Sequence, residues 1–257
     1  MGDTNIQVNV TDRVGIITLN RPRVHNALDR ETVREVVEQM EAFNSDHRVR
    51  VIVINGSGPA FAAGADVREL RDATPKSLEL DDPFADWDRI TRIHKPVIAS
   101  VHGFALGGGF ELALHCDMLI AAENAVFGFP EVTLGVMPGA GGTQLLTKAI
   151  GRRKAMEMIW FGKRLSATDA ASAGIVNQIF DEAILDEETM NVAGKLAEQA
   201  PIPVRLIKEV VNHAEDLPLM EGMKLERKNF YLTFATDDQS EGMQAFIEKR
   251  TPRFKGE

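Results

Sequence analysis

Cysteine is nearly missing from this chain: Cys116 is the only one in 257 residues. A single thiol rules out an internal disulfide and fits a reducing compartment. Its place in an apolar pattern makes it a packing residue before a nucleophile. No apolar run approaches the ~20 residues that span a bilayer. The N-terminus, Met1-Gly2-Asp3-Thr4-Asn5-Ile6, lacks a basic n-region and an apolar h-region, and Ile6 stands where a myristoylation signal needs Ser or Thr. The C-terminal Phe254-Lys255-Gly256-Glu257 is no peroxisomal address. Together these absences predict a cytoplasmic chain away from the membrane. Positive charge is also short. A net charge of −9 argues against nucleic-acid binding as the main business, while leaving room for a local groove that holds one phosphorylated ligand. No HExxH and no Cys/His cluster occur, so no metal site is expected. G-x-S-x-G is missing, and with it the elbow of a serine hydrolase. In Gly139-Ala140-Gly141-Gly142-Thr143-Gln144, Gln144 falls where a dinucleotide fingerprint needs its third glycine.

What is present is an ordinary globular composition, 44% apolar and 26% charged, at a length that one α/β domain can have. Its centre is His102-Gly103-Phe104-Ala105-Leu106-Gly107-Gly108-Gly109-Phe110-Glu111-Leu112-Ala113-Leu114. The β-branched run Pro96 to Val101 precedes it, and a buried helix pattern follows. Glycines at such a junction let a ligand approach the main chain and leave free N–H groups at a helix start, where partial positive charge favours a developing anion. Glu111 puts a carboxylate beside them. The simpler alternative is a tight strand-to-helix turn with a surface Glu.

Along the chain, Ile6 to Val10 and Val14 to Leu19 read as an opening hairpin, and Asp29 caps a helix with Val33, Val36, Val37, Met40 and Phe43 on one face. Val51 to Ile54 is a buried strand. A second small-residue loop, Ala60 to Asp66, follows it just as the glycines follow theirs. The two loops are either unrelated or jointly offer two N–H groups to one point, an oxyanion hole. Thr74 to Pro83 reads as a polar, turn-rich loop. Phe84, Trp87 and Ile90 recur at helical spacing, as core or as the wall of an apolar pocket. Met118 to Ala122 and Ile175 to Phe180 are strands, and Ala125 to Glu131 is extended. Helices cover Thr143 to Ile150 and Ala155 to Phe161, and from Glu187 onward the chain is helical with a break at Pro201 and Pro203.

Asn20-Arg21-Pro22, Phe61 to Asp66, His102 to Ala113, Phe127-Gly128-Phe129-Pro130-Glu131, Pro138 to Gln144 and the tail from Phe234 to Arg250 occur in one order. In this the chain resembles the enoyl-CoA hydratase/isomerase (crotonase) family over nearly its whole length, the hydratases most of all. The resemblance implies an α/β fold, a crotonase-like spiral of repeated strand–strand–helix units over 1–198, with a C-terminal helical region over 199–257 that builds homotrimers or homohexamers. It implies an acyl-CoA thioester substrate and no separate cofactor, since coenzyme A belongs to the substrate. The amides of Ala65 and Gly108 would bind the thioester oxygen. Glu111 and Glu131 would be the catalytic carboxylates, with Glu111 activating water and Glu131, its pKa raised by apolar neighbours including Phe129 and Pro130 so that it is protonated part of the time, protonating C2. Arg23, Val24, His25, Ala63, Gly64 and Arg68 would border the coenzyme A. Phe230 and Lys249, from this or a neighbouring subunit, would close over the nucleotide, Lys249 being otherwise an exposed helix-end cation. Trp87 and Phe129 would wall the acyl pocket. His25 and Phe129 depart from the residues frequent at these places in the hydratases, where Leu or Ala and Gln respectively are usual.

The reaction expected is hydration of a trans-2-enoyl-CoA to a 3-hydroxyacyl-CoA in fatty-acid or related acyl-CoA degradation. The alternatives are an isomerase, or a hydratase for an aromatic or ring-derived thioester. A non-catalytic RNA-binding or assembly homologue would be expected to lose one or both glutamates and to carry a basic stripe, unlike this chain.

Overall fold

The computed structural model describes residues 4–257; Met1, Gly2 and Asp3 of the N-terminal stretch read above lie outside them. The strands are β1 (Ile6–Thr11), β2 (Val14–Leu19), β3 (Val51–Gly56), β4 (Val97–Val101), β5 (Phe104–Leu106), β6 (Met118–Ala122), β7 (Val126–Gly128), β8 (Arg164–Ser166) and β9 (Gln178–Phe180). The helices are α1 (Arg30–Ser45), α2 (Val67–Leu70), α3 (Pro75–Asp81), α4 (Ala85–Ile90), α5 (Gly108–Leu114), α6 (Gly142–Ile150), α7 (Arg152–Phe161), α8 (Ala167–Ser172), α9 (Leu185–Ala197), α10 (Pro201–Ala214), α11 (Leu219–Thr233) and α12 (Asp237–Glu248).

Six strands form one sheet in the order β1-β2-β3-β4-β6-β9, antiparallel only at the opening hairpin. A smaller sheet runs β5-β7-β8. The chain steps from large sheet to small within a few residues, from β4 to β5 and from β6 to β7, and each step is followed by a helix. Ala62, after β3, bridges to Ala105 and repeats the step without a full strand. These strand–strand–helix turns make the spiral.

Parallel strands covered on both faces need near-continuous apolar sequence. In β3, Ile52 and Ile54 face the main core with α1, while Val51 and Val53 face α9 together with Leu185, Ala193 and Ala197. The stripe expected on α1 is buried as a set. The 74–83 loop reading is corrected: Pro75–Asp81 is helical. Thr74 and Ser77 cap each other's backbone N–H there, a reciprocal box that offsets the weak apolar pattern. The strand expected over 175–180 is confined to its last three residues, because Asn177 spends both its backbone and its side chain on Leu119.

The C-terminal helices are fastened at the N-terminal ends of the parallel strands. Lys208 of α10 donates to Asp117 (2.7 Å) and to the Lys95 carbonyl (2.9 Å). Arg50, just before β3, holds the Phe254 carbonyl (2.8 Å). The opposite ends of the strands are left to the loops described next. No helix among the described residues is long and apolar enough to cross a membrane.

Candidate active site

The loops leaving the C-terminal ends of β3 and β4 are laced together by main-chain bonds. Ala62 N donates to Phe104 O (2.9 Å), Leu106 N to Ala62 O (3.0 Å), and Leu28 N to Gly64 O (2.8 Å). Asn26, 1% exposed, ties in the turn after Pro22: its carboxamide donates to Ser57 O (2.9 Å) and Ala60 O (2.7 Å) and accepts from Arg21 N (2.8 Å). Arg21 braces the same corner through Asp29 (2.6 Å) and the Ala27 carbonyl. The two small-residue loops are therefore one structure.

The main chain at Ala65 and that at Gly108 come together at this corner. A Cβ built on Gly108 would stand 3.5 Å from Ala65 N. Neither amide donates a hydrogen bond within the described residues; Gly108 opens α5, where N–H groups have no intrahelical partner. The helix starts there because Gly107 turns the chain at φ +51 and spends its own amide on Gly128 O (2.9 Å). A side chain at Gly107 would also press on Glu131 Oε1, 3.0 Å from the Cβ position.

Glu111 is 4% exposed. Its Oε1 accepts the amides of Ala140 and Gly142, each at 2.8 Å, at the start of α6. Burial pushes this carboxyl up, and the amides of Gly142, Ala140 and Gly139 pull against that by favouring the charged form. Glu131 has less support. It opens a 3-10 turn, Glu131–Leu134, and its Oε2 is buried without a partner. Burial raises its carboxyl to about 7, its own backbone N–H opposes this, and the charge of Glu111 adds to the rise. Two carboxyls with different environments thus share one corner with two unspent amides.

The other predicted residues divide. Arg23, Val24 and His25 lie on the exposed side of the 22–25 turn, and Ala63 N donates to His25 O (2.9 Å), so these four and Gly64 sit side by side. Arg68 is solvent-exposed and paired with Asp66 (2.8 Å). Phe230 and Lys249 are exposed on α11, which packs on α10, and at the end of α12; among the described residues no hydrogen bond joins either to the corner. Trp87 and Phe129, expected to wall an acyl pocket, are both buried. Trp87 is 7% exposed and packs with Leu28, Val33, Val36 and Leu112 around a small internal cavity. Phe129 is fully buried, stacked 4.9 Å from Phe110 and wedged under Gly142, so it backs Glu111 from behind. Phe84 is the aromatic that stays partly exposed beside the site: a Cβ on Gly139 would meet its ring at 2.6 Å. Sequence reasoning also passed over Asn26 and His115, whose Nε2 lies 2.9 Å from the Ala140 carbonyl. An Asn in a turn that needs positive φ is a usable signal for the first; for the second it is the place four residues after Glu111, one turn along the same helix face.

Residues 9–257 match the family model described as enoyl-CoA hydratase/isomerase. The chain belongs to the enoyl-CoA hydratase/isomerase family. Among solved members, enoyl-CoA hydratase subunit I from Geobacillus kaustophilus HTA426 superposes with a TM-score of 0.97 at 57% identity, over 99% of each chain. The mitochondrial enoyl-CoA hydratase of Pongo abelii is 46% identical over 94% of this chain and 83% of its own length. The 2,3-dehydroadipyl-CoA hydratase of Escherichia coli K12 is 41% identical over 95% and 96%. The spiral expected from the motifs is the fold of these enoyl-CoA hydratases.

Proposed function

We propose that the protein adds water across trans-2-enoyl-CoA thioesters to give 3-hydroxyacyl-CoA. The observation that carries this is the meeting of two unspent amides, Ala65 and Gly108, with two buried carboxyls, one bonded to backbone amides and one with an unpartnered oxygen. As water attacks C3, negative charge grows on the thioester oxygen. Two fixed N–H donors stabilise it, and removing one such donor typically costs ~3–4 kcal/mol. Glu111, its Oε1 fixed by amides that favour the anion, is the base that takes the proton from water. Glu131, raised to about 7, is protonated in about half the molecules at neutral pH and gives that proton to C2. The chemistry calls for no cofactor beyond the coenzyme A of the substrate.

Arg23, Val24, His25, Ala63, Gly64 and Arg68 form the shelf for coenzyme A. Phe84 borders the acyl end, with Trp87 and Phe129 behind it. The region 199–257 builds a homotrimer, or a hexamer of two trimers, in which a neighbour supplies Phe230 and Lys249. Its exposed apolar side chains support this: Phe246 is 85% and Ile247 73% exposed, more than a lone chain needs to leave in water. The sparse cysteine supports a cytoplasmic setting.

Following crotonyl-CoA by its unsaturated-thioester absorbance tests the reading. Loss of absorbance with formation of 3-hydroxybutyryl-CoA is expected. No loss, while a 3-enoyl-CoA is converted, would make the protein an isomerase.

A further inference from the structure

Helix α5 sends two side chains to the same turn. Glu111 and His115 lie four residues apart and therefore on one face. Glu111 Oε1 receives the Ala140 and Gly142 amides, and His115 Nε2 lies 2.9 Å from the Ala140 carbonyl oxygen. A carbonyl only accepts, so Nε2 carries the hydrogen. The two peptide groups flanking the Ala140 Cα are thus both gripped from α5. The imidazole has little freedom: its centroid is 6.1 Å from that of Trp87, and a Cβ on Gly141 would stand 3.3 Å from Nε2.

We propose that His115 is a positioning residue for Glu111: by holding the Ala140 carbonyl, its Nε2–H sets the orientation of the 139–142 turn whose amides fix that carboxylate. It touches no substrate atom, and it rests on the hydratase reading only for what Glu111 then does. Charged groups around the pair are few. Burial disfavours the imidazolium of His115 and lowers its pKa, against the Ala140 carbonyl and Asp88 of α4, which favour it, while Glu131 faces Glu111 from the next turn. Freed from His115, the turn rotates and its amides slip from Oε1. Those bonds favour the charged form, so their loss moves the Glu111 titration upward.

The test compares His115→Leu, which removes the donor, with His115→Gln, whose Nε2 takes the place of the imidazole Nε2. For the Leu variant, kcat should fall about 10- to 100-fold, as expected for a reacting group misplaced by up to ~1 Å. KM should stay within about twofold, because ground-state binding is untouched. The acidic limb of the kcat–pH profile should move to higher pH. The Gln variant should restore both. A readout independent of turnover is the carboxyl titration of 13C-glutamate-labelled protein, with the Glu111 signal assigned by its loss in Glu111→Gln. Its midpoint should rise in His115→Leu and return in His115→Gln. Should the Leu variant not fold, His115→Asn, too short to reach the carbonyl, is read in its place. An unmoved Glu111 midpoint, or kcat losses that track Tm losses equally in both variants, overturns the proposal. A wild-type protein that leaves crotonyl-CoA unchanged would sink the hydratase reading, and the titration would still decide the role of His115.

Discussion

Glu131 carries a buried oxygen that no group in the described structure satisfies, and this has a consequence for stability as well as chemistry. Its carboxyl titrates near 4.5 in an unfolded chain and at about 7 when folded. Between those values the native state holds more protons than the unfolded one, so stability falls as pH rises from about 4.5 to 7. Above 7 the penalty is complete, ~3 kcal/mol at most before solvent screening. Replacing Glu131 by Gln should therefore raise Tm clearly at pH 8 and hardly at pH 5. Calorimetry at the two pH values checks this; an equal gain at both would mean the carboxyl is not held neutral. The pair of glutamates was legible from residue type and motif. So was the upward push on Glu131, which follows from apolar neighbours such as Phe129 and Pro130 in its own motif. The amides at 139–142 that favour the charged form of Glu111 were not, because no local pattern ties that turn to it.

At the level of elements, the start of α5 separates two adjacent glycines. A Cβ at Gly109 would stand 2.3 Å from Ala62 O and 2.7 Å from Ala62 Cβ, so a methyl there drives the helix off the second loop. Gly109→Ala should lose ~1–3 kcal/mol or more, an overpacking cost read as a lower Tm. At Gly108 the methyl meets Ala65 N at 3.5 Å, an ordinary contact, so Gly108→Ala should fold with near-normal Tm while screening the amide pair. Its kcat should fall at least ~10-fold, a fraction of what losing a whole oxyanion donor costs. Full kcat in a folded Gly108→Ala protein would remove that amide from the mechanism. The strand-to-helix turn and its glycines were readable in sequence, since Gly107-Gly108-Gly109 after a β-branched run has few other uses. The resemblance marked Gly108 as the donor, but that Gly107 is the turn and Gly109 the packing contact was not readable. Those roles depend on which backbone lies opposite, and Ala62 is 47 positions away from Gly109. The capped helix at 75–81 was missed for the opposite reason: its signal is two hydroxyl side chains in a polar stretch.

For the molecule as a whole, the sequence made the architecture legible because parallel strands buried on both faces, such as β3, have unmistakable composition. Its assembly is less so. Phe230, Tyr231, Phe246 and Ile247 are all more than half exposed, on the C-terminal helices α11 and α12. Light scattering should report three or six copies, and Phe246→Asp should shift the protein towards monomer. Lys249→Ala should raise KM for the CoA thioester several-fold and leave kcat nearly intact, as removal of uniform binding does; an unchanged KM would return Lys249 to a plain helix-end cation. The central claim, that two loops and two acids distant in the chain act on one double bond, has a direct measurement. Crotonyl-CoA turnover is followed for the wild-type protein and for Glu111→Gln and Glu131→Gln separately. Each variant is expected to lose more than ~10²-fold in kcat with KM little changed. Near-normal turnover in either one would contradict the account.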